Sequence, residues 1–381
     1  MRRRVLRATA LVAAVLAGTG TPTPADSVFG IRGLGLLGRP LSARAAGTGG
    51  GFALLDGPTP MNPSAFGLWR GPAGWAVGAP SRRVFEDGGT STSLGSTRFP
   101  LFGFASPVNA RMVLAVTASD FLDRTWAVHT TRDTVLRGDT VTFDDEASSV
   151  GGVTDLRLAA AYKVTDKVLV GLGLHALSGS THQTVVRQFS DVGYVSFSDN
   201  TVTDFSGAGL SLGVQILASS RLAVAGTMRL NGRLKAASTG GATARVAMPA
   251  EFGGGFVYAP VVGVGIGATV TYQTWARAAD ALVAADSSRS RNVWSAAIGG
   301  EFELLHVRGE AVPVRIGVRQ RQLPFPVDGA GLTERAVSGG LGYTLAAGRA
   351  TVDLGFEVGR RRAGVASERF TTGFVGILVR P

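Results

Sequence analysis

Few side chains in this sequence are arranged for covalent chemistry. The four histidines, His129, His175, His182 and His306, show no metal-ligand spacing, and cysteine is absent. No Gly-x-Ser-x-Gly turn presents a nucleophile. The Gly-x-Gly repeats at 263–267 fall inside a strand pattern, not at a strand-to-helix turn that could bind a phosphate. A serine esterase built into a sheet would need a Ser and a His paired across strands, and no segment recommends such a pair. The sequence therefore predicts no catalytic residue, no metal site and no cofactor. What remains is charge set in small-residue surroundings. Arg44 and Asp56 flank a glycine-rich stretch and are candidates to pair with Asp353 or Arg315, either for function or simply to satisfy charge.

Composition says which elements must position them. Fifty-four glycines are too many for a helical protein, and no Gly-X-Y period explains them. The chain is 45% hydrophobic, yet no apolar run reaches the roughly 20 residues of a membrane helix. Its longest run, Ala8 to Ala17, follows Arg2, Arg3, Arg4 and Arg7 and precedes Thr23-Pro24-Ala25. That is the order of a secretory signal, predicted over 1–25 with cleavage after Ala25. The net charge of +11 falls to about +7 without that signal. The arginines are scattered and do not interleave with aromatics, so nucleic acid is not an expected partner. Arginines facing anionic headgroups, or lining a lumen, explain the balance. An exported chain without disulfides needs another restraint, and a closed hydrogen-bonded barrel supplies one.

Period two dominates. Val262, Val264, Ile266, Ala268, Val270 and Tyr272 share one face, opposite Gly263, Gly265, Gly267, Thr269 and Thr271. Val352, Leu354, Phe356 and Val358 oppose Asp353, Gly355 and Glu357, and Val314, Ile316 and Val318 oppose Arg315, Gly317 and Arg319. Segments of about 10 residues, with a small or charged minor face, fit a transmembrane barrel whose lumen is wet or plugged. Short turns at 107–109, 164–167, 218–221, 259–261, 306–311 and 346–349 alternate with longer polar stretches. The predicted strands are 74–86, 97–106, 110–119, 151–163, 168–178, 204–217, 222–234, 243–258, 262–276, 291–305, 312–321, 333–345, 350–360 and 368–380. The expected fold is thus all-β: a closed antiparallel transmembrane barrel of about 14 strands, over 71–381. Segment 120–150 is expected to be a long outer loop, with or without its own hairpin. Trp69, Trp75, Trp126, Trp275 and Trp294 fall near strand ends, as an interfacial aromatic girdle would.

Residues 26–70 break the period. The stretch Ala43-Arg44-Ala45-Ala46-Gly47-Thr48-Gly49-Gly50-Gly51-Phe52, then Asp56, then Asn62-Pro63-Ser64, resembles the opening of the FadL family of outer-membrane transporters and of its PorV-type relatives. Gly51 and Ser64 stand where alanines are usual in that opening. The resemblance implies an N-terminal hatch inside the barrel and passive uptake of hydrophobic molecules such as long-chain fatty acids. It implies an apolar pocket between hatch and wall, and sideways exit near a kinked third strand. Arg44, Gly47, Gly49, Gly50, Phe52, Asp56, Asn62 and Pro63 are the site residues it designates. Expected partners are a hydrophobic small molecule or lipid, outer-membrane lipids, and the barrel-assembly machinery during insertion of a monomer. A PorV-like secretion scaffold and a structural or porin-type barrel are the alternatives. Two departures stand out: the third strand has no Gly or Pro to kink it, and the chain ends Leu378-Val379-Arg380-Pro381 rather than in an aromatic, with Phe370 and Phe374 as candidate substitutes.

Overall fold

The computed structural model describes residues 27–87, 90–191, 193–278, 290–307, 310–327, 329–345 and 348–380, with the backbone of 23–24. The signal expected over 1–25 lies almost wholly outside these residues, as does most of the polar stretch at 277–290.

Fourteen antiparallel strands close on themselves. They are β1 (Ala73–Asp87), β2 (Thr90–Pro107), β3 (Met112–Asp123, resuming as Trp126–Leu136), β4 (Asp139–Lys163), β5 (Val168–Phe189), β6 (Phe197–Leu217) and β7 (Leu222–Asn231, resuming as Arg233–Ser238). There follow β8 (Thr243–Ala247, resuming as Glu251–Tyr258), β9 (Val264–Gln273), β10 (Val293–Val307), β11 (Glu310–Val327), β12 (Ala330–Leu345), β13 (Ala350–Ala363) and β14 (Ala366–Val379). Closure comes from β14 pairing with β1, from Val379↔Gly74 to Ser367↔Glu86. Among the described residues no helix is long and apolar enough to cross a membrane.

The alternation sorts side chains by solvent. Val270, Ile298, Val318, Val337, Val358 and their like point outward and are exposed. On a closed barrel such a belt faces hydrocarbon, because the strands pair from neighbour to neighbour until β14 meets β1. The molecule is therefore a transmembrane barrel of the outer-membrane type. The tight turns and the C-terminal end share one rim, and barrels of this type place that rim in the periplasm. The opposite rim is built of longer hairpins.

Residues 120–150 hold the hairpin that the sequence allowed within the expected outer loop. Trp126–Leu136 pairs in register with Asp139–Ser149, and the two meet at Arg137 (φ 57°) and Gly138 (φ 98°), two left-handed residues that suit a two-residue hairpin. β4 alone runs 25 residues, more than twice the ~10 needed to cross a bilayer, so β3–β6 stand well clear of the membrane. The tryptophan girdle is not formed either. Trp75, Trp126 and Trp275 are buried, and only Trp294 of the five is an exposed outward side chain. Phe370 and Phe374 are likewise buried, leaving Ile377 and Val379 to complete the belt near the C-terminus.

Candidate functional site

Residues 27–72 lie within the barrel, and glycines on the wall make room for them. The Ser42 hydroxyl caps a five-residue helix, α1 (Ala43–Gly47), by accepting from the Ala45 N–H, and α1 packs against β11–β14. The chain then runs against the strands at backbone distance. A Cβ on Gly317 would lie 2.1 Å from the Thr48 carbonyl carbon, and one on Gly299 2.2 Å from its oxygen. On the far wall a Cβ on Gly171 would meet Pro63 at 2.3 Å, and one on Gly213 would meet Asn62 Oδ1 at 1.9 Å. The small minor face of the strands is thus the seat of a plug. Gly317→Leu is expected to unseat the turn at Thr48 while β11 keeps its ladder. Protease cleavage within 43–65 and ion conductance should both rise, and unchanged protection would contradict this seating.

The eight residues singled out from sequence all sit in this plug. Gly49 and Gly50 hold left-handed φ of +67° and +98°, and Gly47 packs against Arg315 and Gly340. Phe52 lies over Gly267, where a Cβ would be 2.5 Å from its ring. Asn62 donates to Leu54 O at 2.8 Å and accepts from the Ser64 N–H at 3.0 Å and the Ser64 hydroxyl at 2.8 Å, so Asn62-Pro63-Ser64 is a self-satisfied turn. Asp56 accepts from the Thr59 hydroxyl at 2.6 Å rather than from Arg315. Arg44 reaches Glu301, not Asp353, donating at 2.9 and 2.6 Å. Glu301 also accepts from Arg315 at 2.6 Å, and Arg315 donates to Asp353 at 2.6 Å. The two expected wall partners are therefore one and two steps along a chain whose hinge, Glu301, sequence did not single out. Desolvation works against the Arg44 charge, but Glu301, with Asp56 and Asp353 beyond it, more than offsets this and raises the guanidinium above its ordinary value.

A cavity of about 390 Å³ opens around this chain, lined by Arg44, Asp56, Trp69, Glu301, Arg315 and Asp353 among others. It is charged, so the space between plug and wall here is not the apolar pocket expected. Apolar surface gathers further up the lumen. There Leu122, Leu177, Phe205, Leu234, Trp275 and Phe325 enclose Leu34, with Leu37 packed against them. Phe29 and Leu36 pack with Leu323 and Leu332 beside them.

Between plug and upper lumen lies a buried ionic array. Glu334 accepts from Arg319, from Arg321 at 2.5 Å and from Arg361 at 2.5 Å. Glu357 joins Arg319 to Arg39 of the plug, and Glu368 joins Arg361 to the Ser27 hydroxyl. On the other wall His175 Nδ1 lies 2.9 Å from the Asp155 carboxylate and Nε2 2.8 Å from Ser211 Oγ. The order is that of an acyl-transfer relay. Ser211, however, is only 3% exposed and its hydroxyl packs on Gly173, so the array ties β4, β5 and β6 together.

The wall itself has a parting. β2 and β3 pair from Pro107↔Val113 only as far as Leu101↔Ser119. Above that, Thr125 N–H donates to Asp123 Oδ1 at 2.9 Å, the pairing of β3 with β4 slips between Asp120 and Leu122, and β3 breaks at Arg124–Thr125. The break is thus made by an aspartate turn, with no glycine or proline in it. Plug residues cover the parting: Leu36–Leu37 pair with Leu122–Asp123, and the Gly38 N–H donates to Phe121 O at 2.9 Å. Arg98 bridges it from β2, donating to Thr125 Oγ1 at 2.9 Å and to Asp120 at 3.4 Å.

No family model matches the sequence, and no curated protein does. Solved structures do match. A FadL homologue of Pseudomonas aeruginosa superposes with a TM-score of 0.66 at 14% identity, over 91% of this chain and 99% of that one. The monoaromatic hydrocarbon channel CymD gives 0.61 at 16% identity, over 90% and 97%. The Pseudomonas putida toluene transporter TodX gives 0.57 at 13% identity, over 94% and 98%. The fold is that of the FadL-type channels. At these identities the FadL-type likeness fixes the architecture, and the ligand must be argued from this chain's own side chains.

Proposed function

We propose that this barrel is a passive outer-membrane channel for small hydrophobic molecules, gated by residues 27–70 and emptied sideways between β2 and β3. The observation that carries the reading is the parting above Leu101↔Ser119, where Leu36–Leu37 of the plug pair with the free edge of β3, Arg98 reaches across from β2, and Thr23–Pro24 pair with Leu94–Gly95 of β2. Below, the lumen is filled by α1 and the turns after it. Above the ionic array, it is apolar. A hydrophobic solute entering from outside would compete with Leu34, Leu36 and Leu37 for the same apolar lining. Displacing those residues withdraws the segment that pairs with Leu122–Asp123, which opens the wall. A small aromatic or an acyl chain suits such a lumen better than an ion does, because a bare charge there would be desolvated.

Uptake of labelled toluene and labelled oleate into proteoliposomes tests the proposal. The channel reading expects protein-dependent, saturable uptake of at least one of them, with no stable ion current. A large steady current would instead make the barrel a general pore. Capture of secreted proteins without hydrophobic uptake would make it a secretion scaffold.

A further inference from the structure

The outer face carries a feature that the channel does not use. Arg335 of β12, Arg360 of β13 and Arg369 of β14 point outward and stand side by side, Arg335↔Arg360 and Arg360↔Arg369 being register partners. Like charges directly opposite each other on a sheet are destabilising. Inside the barrel at this level, Arg361 meets two carboxylates, Glu334 and Glu368. Outside, Arg369 meets Glu86. Arg335 donates to the neutral Gln320, Arg360 donates to Ser367, and Arg360 Nε is buried without a hydrogen-bond partner. Arg82 of β1 lies diagonal to Arg369, opposite Thr371.

These four guanidinium groups line an outward-facing hollow of about 990 Å³ in the wall. The rest of its lining is mainly apolar, including Val84, Val270, Ile298, Val318, Val337 and Val358, and no carboxylate lines it. The row caps the apolar belt on the hairpin side, away from the tight turns, so it sits at the outer-leaflet interface. Arginine on the lipid face is tolerated there, whereas at mid-bilayer it is destabilising.

We propose that this hollow is a binding site for a phosphorylated lipid of the outer leaflet, its phosphate held by Arg335, Arg360, Arg369 and Arg82 and its acyl chains laid on the valine floor. The guanidinium fork matches phosphate oxygens two at a time, and the anion removes the repulsion along the row. Annular lipid in general would meet the belt anywhere, while this site is confined to seven adjacent strands, β9 to β14 and β1.

Native mass spectrometry of the full chain tests it, with bisphosphorylated lipid A as probe and its dephosphorylated form as comparison. The expected result is one phosphorylated lipid retained under activation that strips the rest, with the dephosphorylated form retained at least tenfold less. Arg335→Gln/Arg360→Gln should lose that retention to the same extent, while Arg111→Gln at a periplasmic turn should keep it. Heat-modifiable mobility confirms that each variant is a folded barrel. Equal retention of both lipids, or of the probe by the double variant, overturns the proposal. Neither result bears on hydrophobic uptake, which is measured separately.

Discussion

Replacing Glu334 with glutamine is expected to lower the barrel's stability by about 3–5 kcal/mol, the range for removing one partner from a buried charge cluster. Glu334 is fully buried and accepts from three guanidinium groups, on Arg319, Arg321 and Arg361. Glutamine keeps the shape but withdraws the charge. Arg319 retains Glu357 and Arg361 retains Glu368, while Arg321 is left with the Leu37 carbonyl at 3.4 Å. Leu37 is also the residue that covers the parting, so the loss should be felt at the gate as well as in the wall. The denaturation midpoint in detergent, followed by heat-modifiable mobility, reads the first effect. A loss below about 1 kcal/mol, as for a surface ion pair, would mean that the array is wet and that the plug is not held by it.

Removing residues 41–65 and joining Pro40 to Phe66 through a flexible linker is expected to change the molecule from a closed barrel to an open one. The deleted span holds α1, the turn against Gly299 and Gly317, and Asn62-Pro63-Ser64 against Gly171 and Gly213. The fourteen-strand ladder does not run through it, so the barrel should still insert and show heat-modifiable mobility. With residues 41–65 gone the glycine girdle is bare, and residues 27–40 lose the segment that seats them from below. Planar bilayers should then show stable ion-conducting steps that the full chain lacks, and uptake of hydrophobic solute should lose its saturation. Absence of current from a folded deletion variant would place the constriction elsewhere.

Much of this fold is legible in the residues because lipid on one side and a plug on the other enforce period two. Leu354, Phe356 and Val358 against Gly355 and Glu357 read as a strand without help. The upper half of β3 is different: Val128-His129-Thr130-Thr131-Arg132-Asp133-Thr134 has water on both sides, so neither face is apolar and the period vanishes. The tryptophans mislead for a related reason. Nearness to a strand end says nothing about side, whereas parity does: Trp75 shares its face with the buried Ala73 and Val77. Glu301 could not be matched to Arg44 from sequence, since 257 residues separate them and only the seating of α1 against the wall sets the meeting point. The outward arginine row is hidden likewise, because three arginines on three strands become neighbours only through the pairing of β12, β13 and β14. The break in β3 involves no glycine or proline: the Asp123 carboxylate accepts from the Thr125 N–H, and the Thr125 hydroxyl bonds to the Gly151 backbone of β4.

The central claim is that the plug must leave the parting between β2 and β3 for a hydrophobic molecule to pass. The chain has no cysteine, so a disulfide can be placed there without interference. Leu37 and Leu122 are register partners across the covered edge, at a spacing that suits a bridge in an antiparallel pair. In the Leu37→Cys/Leu122→Cys variant, uptake of labelled toluene and oleate into proteoliposomes should fall to background when oxidised and recover on reduction, with each single variant unaffected by redox state. Full uptake through the oxidised, cross-linked barrel would contradict the account.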